Sequence, residues 1–172
     1  FVSCGAANGV QLSAAACLTG TDPERVKSLP KTEGWKNEFV ISSVDPHAYI
    51  HQGIELCGGK LVRAGSKEQV TADDILAKVG ARTCAVVHFL GRQTREQLAD
   101  VIAGCEKMGV PVMVDAAAQL PPRSNLLEIV GIGASLVNFS GGKGMSGPQS
   151  SGLVVGKKEY VDAVRMNASP NS

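Results

Sequence analysis

The chain has 172 residues, 44% of them hydrophobic and 19% charged, and a formal net charge of +1. This is an ordinary globular composition, long enough for a sizeable core, and its totals exclude a strongly basic nucleic-acid footprint or a charge-driven attraction to membranes. No apolar run approaches the roughly 18 residues of a spanning helix.

The elements follow in chain order. A strand-to-turn pattern opens the chain, and Gly5, Ala6, Ala7 and Asn8 lead into a helix that spacing and alanine content predict over 9–19, with Gly20 as its stop. Thr21, Asp22 and Pro23 open a second, short helix. A buried strand is predicted over 38–42, a helix over 47–57 closed by Gly58 and Gly59, and a strand over 60–62. Thr71 caps a helix running to about residue 78. The run CAVVHF predicts a strand over 84–89, followed by a helix over 94–108 with acid near its start and Lys107 near its end. A strand over 111–114 ends at Asp115. A helical turn follows at 126–129, then strands over 136–139 and 151–155 and a helix over 157–166.

Strands alternating with helices at this spacing predict crossover units: an α/β fold of three layers, helices on both faces of a mostly parallel sheet. Ligands in such sheets bind beyond the carboxyl ends of the strands. The residues expected there are His47, His88, Asp115, and the turn from Ser140 through Gly141 and Gly142 to Lys143. Asp115, followed by three alanines, is placed to approach a flat ligand and pair with a cationic ring nitrogen; it is equally suited to cap the segment after it. Lys143 projects into the same crevice from the next strand. Desolvation there makes an amine nucleophilic toward a carbonyl. Ser140, the glycine N–H groups and the small residues at the first helix offer donors to a phosphate. A nucleophilic lysine, an acid for a ring nitrogen and a phosphate cup are the parts of a pyridoxal phosphate site.

Other motifs are absent. Lys143 is followed by Gly144, so the loop is no Walker motif, and no G-x-G-x-x-G follows an early strand. His47 and His51 share one helical face but have no third metal ligand. The five cysteines form no C-x-x-C pair and read as small buried thiols.

The segments VDAAAQLPP (114–122) and LVNFSGGKGMSGPQSSGLVVG (136–156) resemble the paired segments of fold-type-I pyridoxal phosphate enzymes. Gln119, the Pro121-Pro122 pair and the GPQSSG tail are most similar to the selenocysteine synthase-like group. The stretches CGAANGVQLSAAACLTGTDPERV and GIELCGGKLVRAG resemble its D-glucosaminate-6-phosphate ammonia lyase branch. The resemblance implies an aspartate aminotransferase-like large domain over 1–172, without the family's N-terminal segment and C-terminal small domain. It implies Lys143 as the Schiff-base lysine, Asp115 on the pyridine nitrogen and Ala117 on one ring face. Gly5, Ala6, Ala7 and Ser140 would hold the phosphate, with Gln119 and Gly142 beside the cofactor and either His47 or His51 stacked on the ring. The activity implied is an ammonia lyase or α,β-eliminase acting on an amino-sugar acid phosphate or related amino acid, in a cytoplasmic homodimer or higher homo-oligomer. The alternatives are a selenocysteine synthase-like transferase acting on seryl-tRNA, and an inactive remnant of the fold. His88 is expected to be structural. The asparagine that desulfurases carry after the corresponding strand is missing, which leaves the ring oxygen without an assigned partner. Arg92, Arg123 and Arg165 are the local arginines available for a substrate carboxylate.

Overall fold

The computed structural model describes residues 1–169. The elements are β1 (Val2–Ser3), α1 (Ala6–Thr19), α2 (Pro23–Ser28), β2 (Glu38–Ser42), α3 (Ala48–Leu56), β3 (Lys60–Ala64), α4 (Ala72–Leu76), β4 (Thr83–Phe89), α5 (Arg95–Lys107), β5 (Val112–Asp115), α6 (Asn125–Gly131), β6 (Leu136–Ser140), β7 (Gly152–Gly156) and α7 (Lys158–Met166).

The strands form one seven-stranded sheet in the order β1-β7-β6-β5-β4-β2-β3. Strands β2 to β6 pair in parallel, while β7 runs antiparallel to β6 and to β1. Side chains alternate across each strand, and both faces are covered. Val40, Val86, Val112, Val114, Val137 and Phe139 pack on one face against Leu98, Val101 and Ile102 of α5, Ile75 of α4 and Ile129 of α6. Phe39, Ile41, Val87, Phe89 and Met113 pack on the other against Val10, Ala14 and Leu18 of α1 and Ile50 and Ile54 of α3. All seven residues of β4 and all four of β5 are buried. Burial on both faces is why these strands read as continuous apolar runs in the sequence. The three-layer α/β expectation holds.

Local chemistry sets the ends. Thr94 and Gln97 form a reciprocal capping box at the start of α5, and Thr71 and Asp74 form one at α4. Helix α1 begins at Ala6, three residues before the predicted start, and lies close on β6. A Cβ at Gly9 would stand 2.7 Å from Asn138 Oδ1. Asn138 is fully buried; its Oδ1 accepts from Ser13 Oγ at 3.2 Å and its Nδ2 donates to the Val114 carbonyl at 3.3 Å. This polar link ties the middle of α1 to the ends of β5 and β6.

Candidate active site

The parallel register levels three strand ends. Asp115, the last residue of β5, pairs with Phe89 at the end of β4 and with Asn138 of β6. Ser140 closes β6 two residues beyond. The chain then forms the glycine-rich turn and returns as β7. Gly141 N–H donates to the Ser151 carbonyl at 2.7 Å and Gly147 N–H to the Gly141 carbonyl at 2.8 Å, so the turn is anchored at its base. It is also pressed on the segment after β5: a Cβ at Gly144 would lie 1.7 Å from the Leu120 carbonyl oxygen, so no larger residue fits there.

Two clefts, each of about 260 Å³, open above these strand ends and meet at Asp115, Ala117 and Lys143. Gly5, Ala6, Ala7 and Ser140 line the first, where α1 begins with no side-chain cap on its free N–H groups. Asp45, His47 and Arg92 line the second.

Asp115 is 9% exposed. Its Oδ1 accepts the Ala117 N–H at 2.9 Å, and its Oδ2 has no hydrogen-bond partner among the described residues. Burial raises its pKa above the usual carboxylate value. The Ala117 N–H and the Lys143 and His47 charges pull it down, and Asp45 pushes it up. Lys143 is exposed, contrary to the expected desolvation, because nothing among the described residues covers the turn from above.

The two histidines separate. His47 is the N-cap of α3 rather than its first helical residue. Its Nδ1 lies 2.6 Å from Asp45 Oδ1, its backbone N–H donates to Asp45 Oδ2 at 3.1 Å, and its ring borders the second cleft. His51 lines neither cleft. It is buried against Asp45, Arg63 and Phe89, with Nδ1 3.3 Å from Arg63 Nη2 and Nε2 3.2 Å from Asp45 Oδ2. Its pKa is lowered, first by burial and then by Arg63, with Asp45 acting in the opposite direction.

Other expectations shift. His88 sits inside β4, not beyond it, and points into the fold, where Nε2 bonds the Thr94 carbonyl at 3.1 Å; burial pushes its pKa down to about 4. Gln119 and Gly142 border the site without lining either cleft. Of the three arginines only Arg92 lines a cleft, and Arg165 pairs with Asp162 at 3.2 Å on α7. Cys57, Cys84 and Cys105 are buried thiols, with pKa values pushed up to about 11, 12 and 11. Cys4 departs from that expectation, being exposed at the rim of the first cleft. No group of three metal-ligating side chains occurs among the described residues, and no helix there is long and apolar enough to cross a membrane.

Sequence reasoning missed Asp45 and Arg63. Asp45 stands alone in SSVDPHAYIHQG with no periodic signal, and the only hint was its spacing of two from His47. Arg63 reads as an ordinary outward residue of β3.

The family model for L-seryl-tRNA selenium transferase matches residues 52–170. A 5'-C-glycyluridine monooxygenase-decarboxylase from a Streptomyces species is 34% identical over 96% of this chain and 42% of its own length. D-glucosaminate-6-phosphate ammonia lyase from Salmonella typhimurium is 29% identical over 96% of the chain and 45% of its own length. A solved structure of a D-glucosaminate-6-phosphate ammonia lyase superposes with a TM-score of 0.84 at 25% identity, covering 97% of this chain and 46% of that one. The chain spans less than half the length of each of these relatives. With its strand-end lysine and aspartate on a sheet of this order, the chain belongs to the L-seryl-tRNA selenium transferase family, a group of fold-type-I, pyridoxal-phosphate-dependent enzymes.

Proposed function

We propose that this chain is the cofactor-binding large domain of a pyridoxal-phosphate-dependent lyase that removes ammonia from an amino-sugar acid phosphate or a related amino acid. One observation carries the reading: a buried carboxylate, Asp115, has one oxygen without a hydrogen-bond partner among the described residues, at the junction of two clefts that the only lysine of the 141–151 turn also lines. An acceptor in that position suits a protonated ring nitrogen. The uncapped start of α1 and the Ser140 hydroxyl, which has no partner among the described residues, suit a phosphate. The residues present therefore fit the group.

In this reading Lys143 holds the cofactor covalently. Asp115 holds the ring nitrogen, and Ala117 and His47 flank the ring. Ser140 and the N–H groups of residues 5–7 hold the phosphate. When bound, the cofactor supplies an electron sink for charge developing at the substrate α-carbon. Asp115 keeps the proton on the ring nitrogen that makes the sink effective. Once the substrate amine has displaced it from the cofactor, Lys143 Nζ, on its exposed turn, would take the proton from the α-carbon. A second copy of the chain completing each site is part of the proposal, and exposed Tyr49 and Met145 beside Lys143 support it.

Selenium transfer on a seryl-tRNA is the second reading. The family match favours it, and the formal net charge of +1 speaks against a tRNA footprint within this chain. The deciding experiment is borohydride reduction of the protein with added pyridoxal phosphate, followed by peptide mass mapping. A reduced adduct on Lys143, lost in Lys143→Ala, is expected. A folded protein without that adduct would sink the cofactor reading. Ammonia release from amino-sugar acid phosphates, set against binding of seryl-tRNA, then separates lyase from transferase.

A further inference from the structure

Asp45 is an unusual residue to bury: its side chain is fully covered, yet it forms no ion pair with a lysine or arginine among the described residues. Its partners are two histidines. A buried ionised carboxylate only accepts hydrogen bonds, so His47 Nδ1, 2.6 Å away, carries a proton directed at Oδ1. His47 Nε2 is then the ring nitrogen left for the cleft. The backbone N–H of His47 holds the other oxygen.

The other side of the group is fixed by Arg63. A guanidinium only donates. His51 Nδ1, 3.3 Å from Arg63 Nη2, must therefore be the bare, accepting nitrogen. The proton of a neutral His51 then sits on Nε2, which faces Asp45 Oδ2 at 3.2 Å, within ion-pair range but off the line of a full hydrogen bond. A protonated His51 would set a second cation against Arg63 and compete with His47 for the Asp45 charge.

We propose that Arg63, His51 and Asp45 form a positioning relay that fixes the His47 ring at the cleft: Arg63 pins the proton of His51 on Nε2, and Asp45, free of a competing cation, commits to His47 Nδ1. Asp45 and Arg63 are positioning residues, because they act through His47. The relay rests on the reading of this cleft as the cofactor site, but its geometry is testable without cofactor.

The test is long-range proton–nitrogen NMR of the histidine-labelled protein at neutral pH, which assigns each ring's tautomer. His51 is expected as the Nε2–H form and His47 as protonated on Nδ1. Arg63→Met changes an exposed side chain that does not touch His47, yet it is expected to mix the His51 tautomers and to shift the His47 signals. Asp45→Asn is expected to mix the His47 tautomers and to weaken pyridoxal phosphate binding roughly tenfold, the loss of one charge-assisted hydrogen bond. A His51 found protonated on Nδ1, or His47 signals unmoved in Arg63→Met, would overturn the relay. Should Asp45→Asn fail to fold, Arg63→Met still decides. Tautomers as expected without a Lys143 adduct would sink the cofactor reading alone; an adduct with the wrong tautomers would sink the relay alone.

Discussion

Burial holds Asp115 above the ordinary carboxylate range. The folded chain therefore keeps that proton at pH values where the unfolded chain has lost it. Stability falls as pH rises from the ordinary carboxylate value through the raised one. Asp115→Asn removes this cost. The cofactor-free variant is expected to melt above wild type at neutral pH, with the gap closing on acidification, and to retain less pyridoxal phosphate; thermal melts and equilibrium dialysis check the two arms. His88 works the other way. Its pKa is lowered from 6.5 to about 4, so below 6.5 the unfolded chain takes up a proton that the folded chain refuses. Stability is full above that value and is lost as pH falls toward 4, by about 3 kcal/mol. His88→Gln, which can still donate to the Thr94 carbonyl, is expected to flatten that acid limb in urea titrations. At this scale the sequence made the positions of Asp115, Ser140 and Lys143 legible, because Asp115 and Ser140 end apolar strands and Lys143 follows three residues later on the glycine-rich turn. Telling which of His47 and His51 borders a cleft needed the backbone: helical periodicity places both on one face, but an N-cap is not yet in the helix. Asp45 and Arg63 were hidden because their meaning comes from strands β2 and β3 lying side by side, a long-range fact that no local pattern encodes.

Among the elements, α1 carries the most. It packs across the sheet and also presents its uncapped start to the first cleft. Gly9 sits at its tightest approach. Alanine there gains about 1 kcal/mol of helix propensity, but its Cβ would meet Asn138, whose amide is bonded at both ends. Overpacking of this kind costs about 1–3 kcal/mol. Gly9→Ala is therefore expected to lower urea stability and, by displacing the helix start, pyridoxal phosphate affinity as well. Thr94→Ala removes half of a capping box and is expected to cost about 1 kcal/mol while leaving the cofactor affinity intact, since α5 lies away from the cleft. The strands were legible for a simple reason: burial on both faces makes them mostly apolar, with hydrogen-bonded His88 and Asn138 as exceptions. Helix starts were less so. Ala6 and Ala7 are good helix formers but Asn8 and Gly9 after them are poor ones, which puts the apparent start late, and only Gly5 marks where the helix begins.

At the scale of the whole molecule, ligand and fold are linked. A ligand bound only by the folded chain stabilises it by about 2.7 kcal/mol at a hundredfold excess over its dissociation constant. Pyridoxal phosphate is expected to raise the melting temperature accordingly, and Lys143→Ala to lose most of the rise. Calorimetry with and without cofactor reads both. Sheet order was not legible: alternation of strands and helices predicts parallel pairing but not which strands lie side by side, whereas the glycine loop does mark β7 as a strand turning back, and it lies beside β6. That reversal has a consequence of its own. The lysine rides on a hairpin closed by its own backbone hydrogen bonds and two adjacent strands, so its placement owes nothing to a helix crossing the sheet. The loops after β2 and β4, which wall the second cleft, belong to separate crossovers. They can lengthen, shorten or change sequence without retuning the lysine. Under the proposed function, a scaffold wired in this way can exchange one substrate for another while the Lys143 amine stays put.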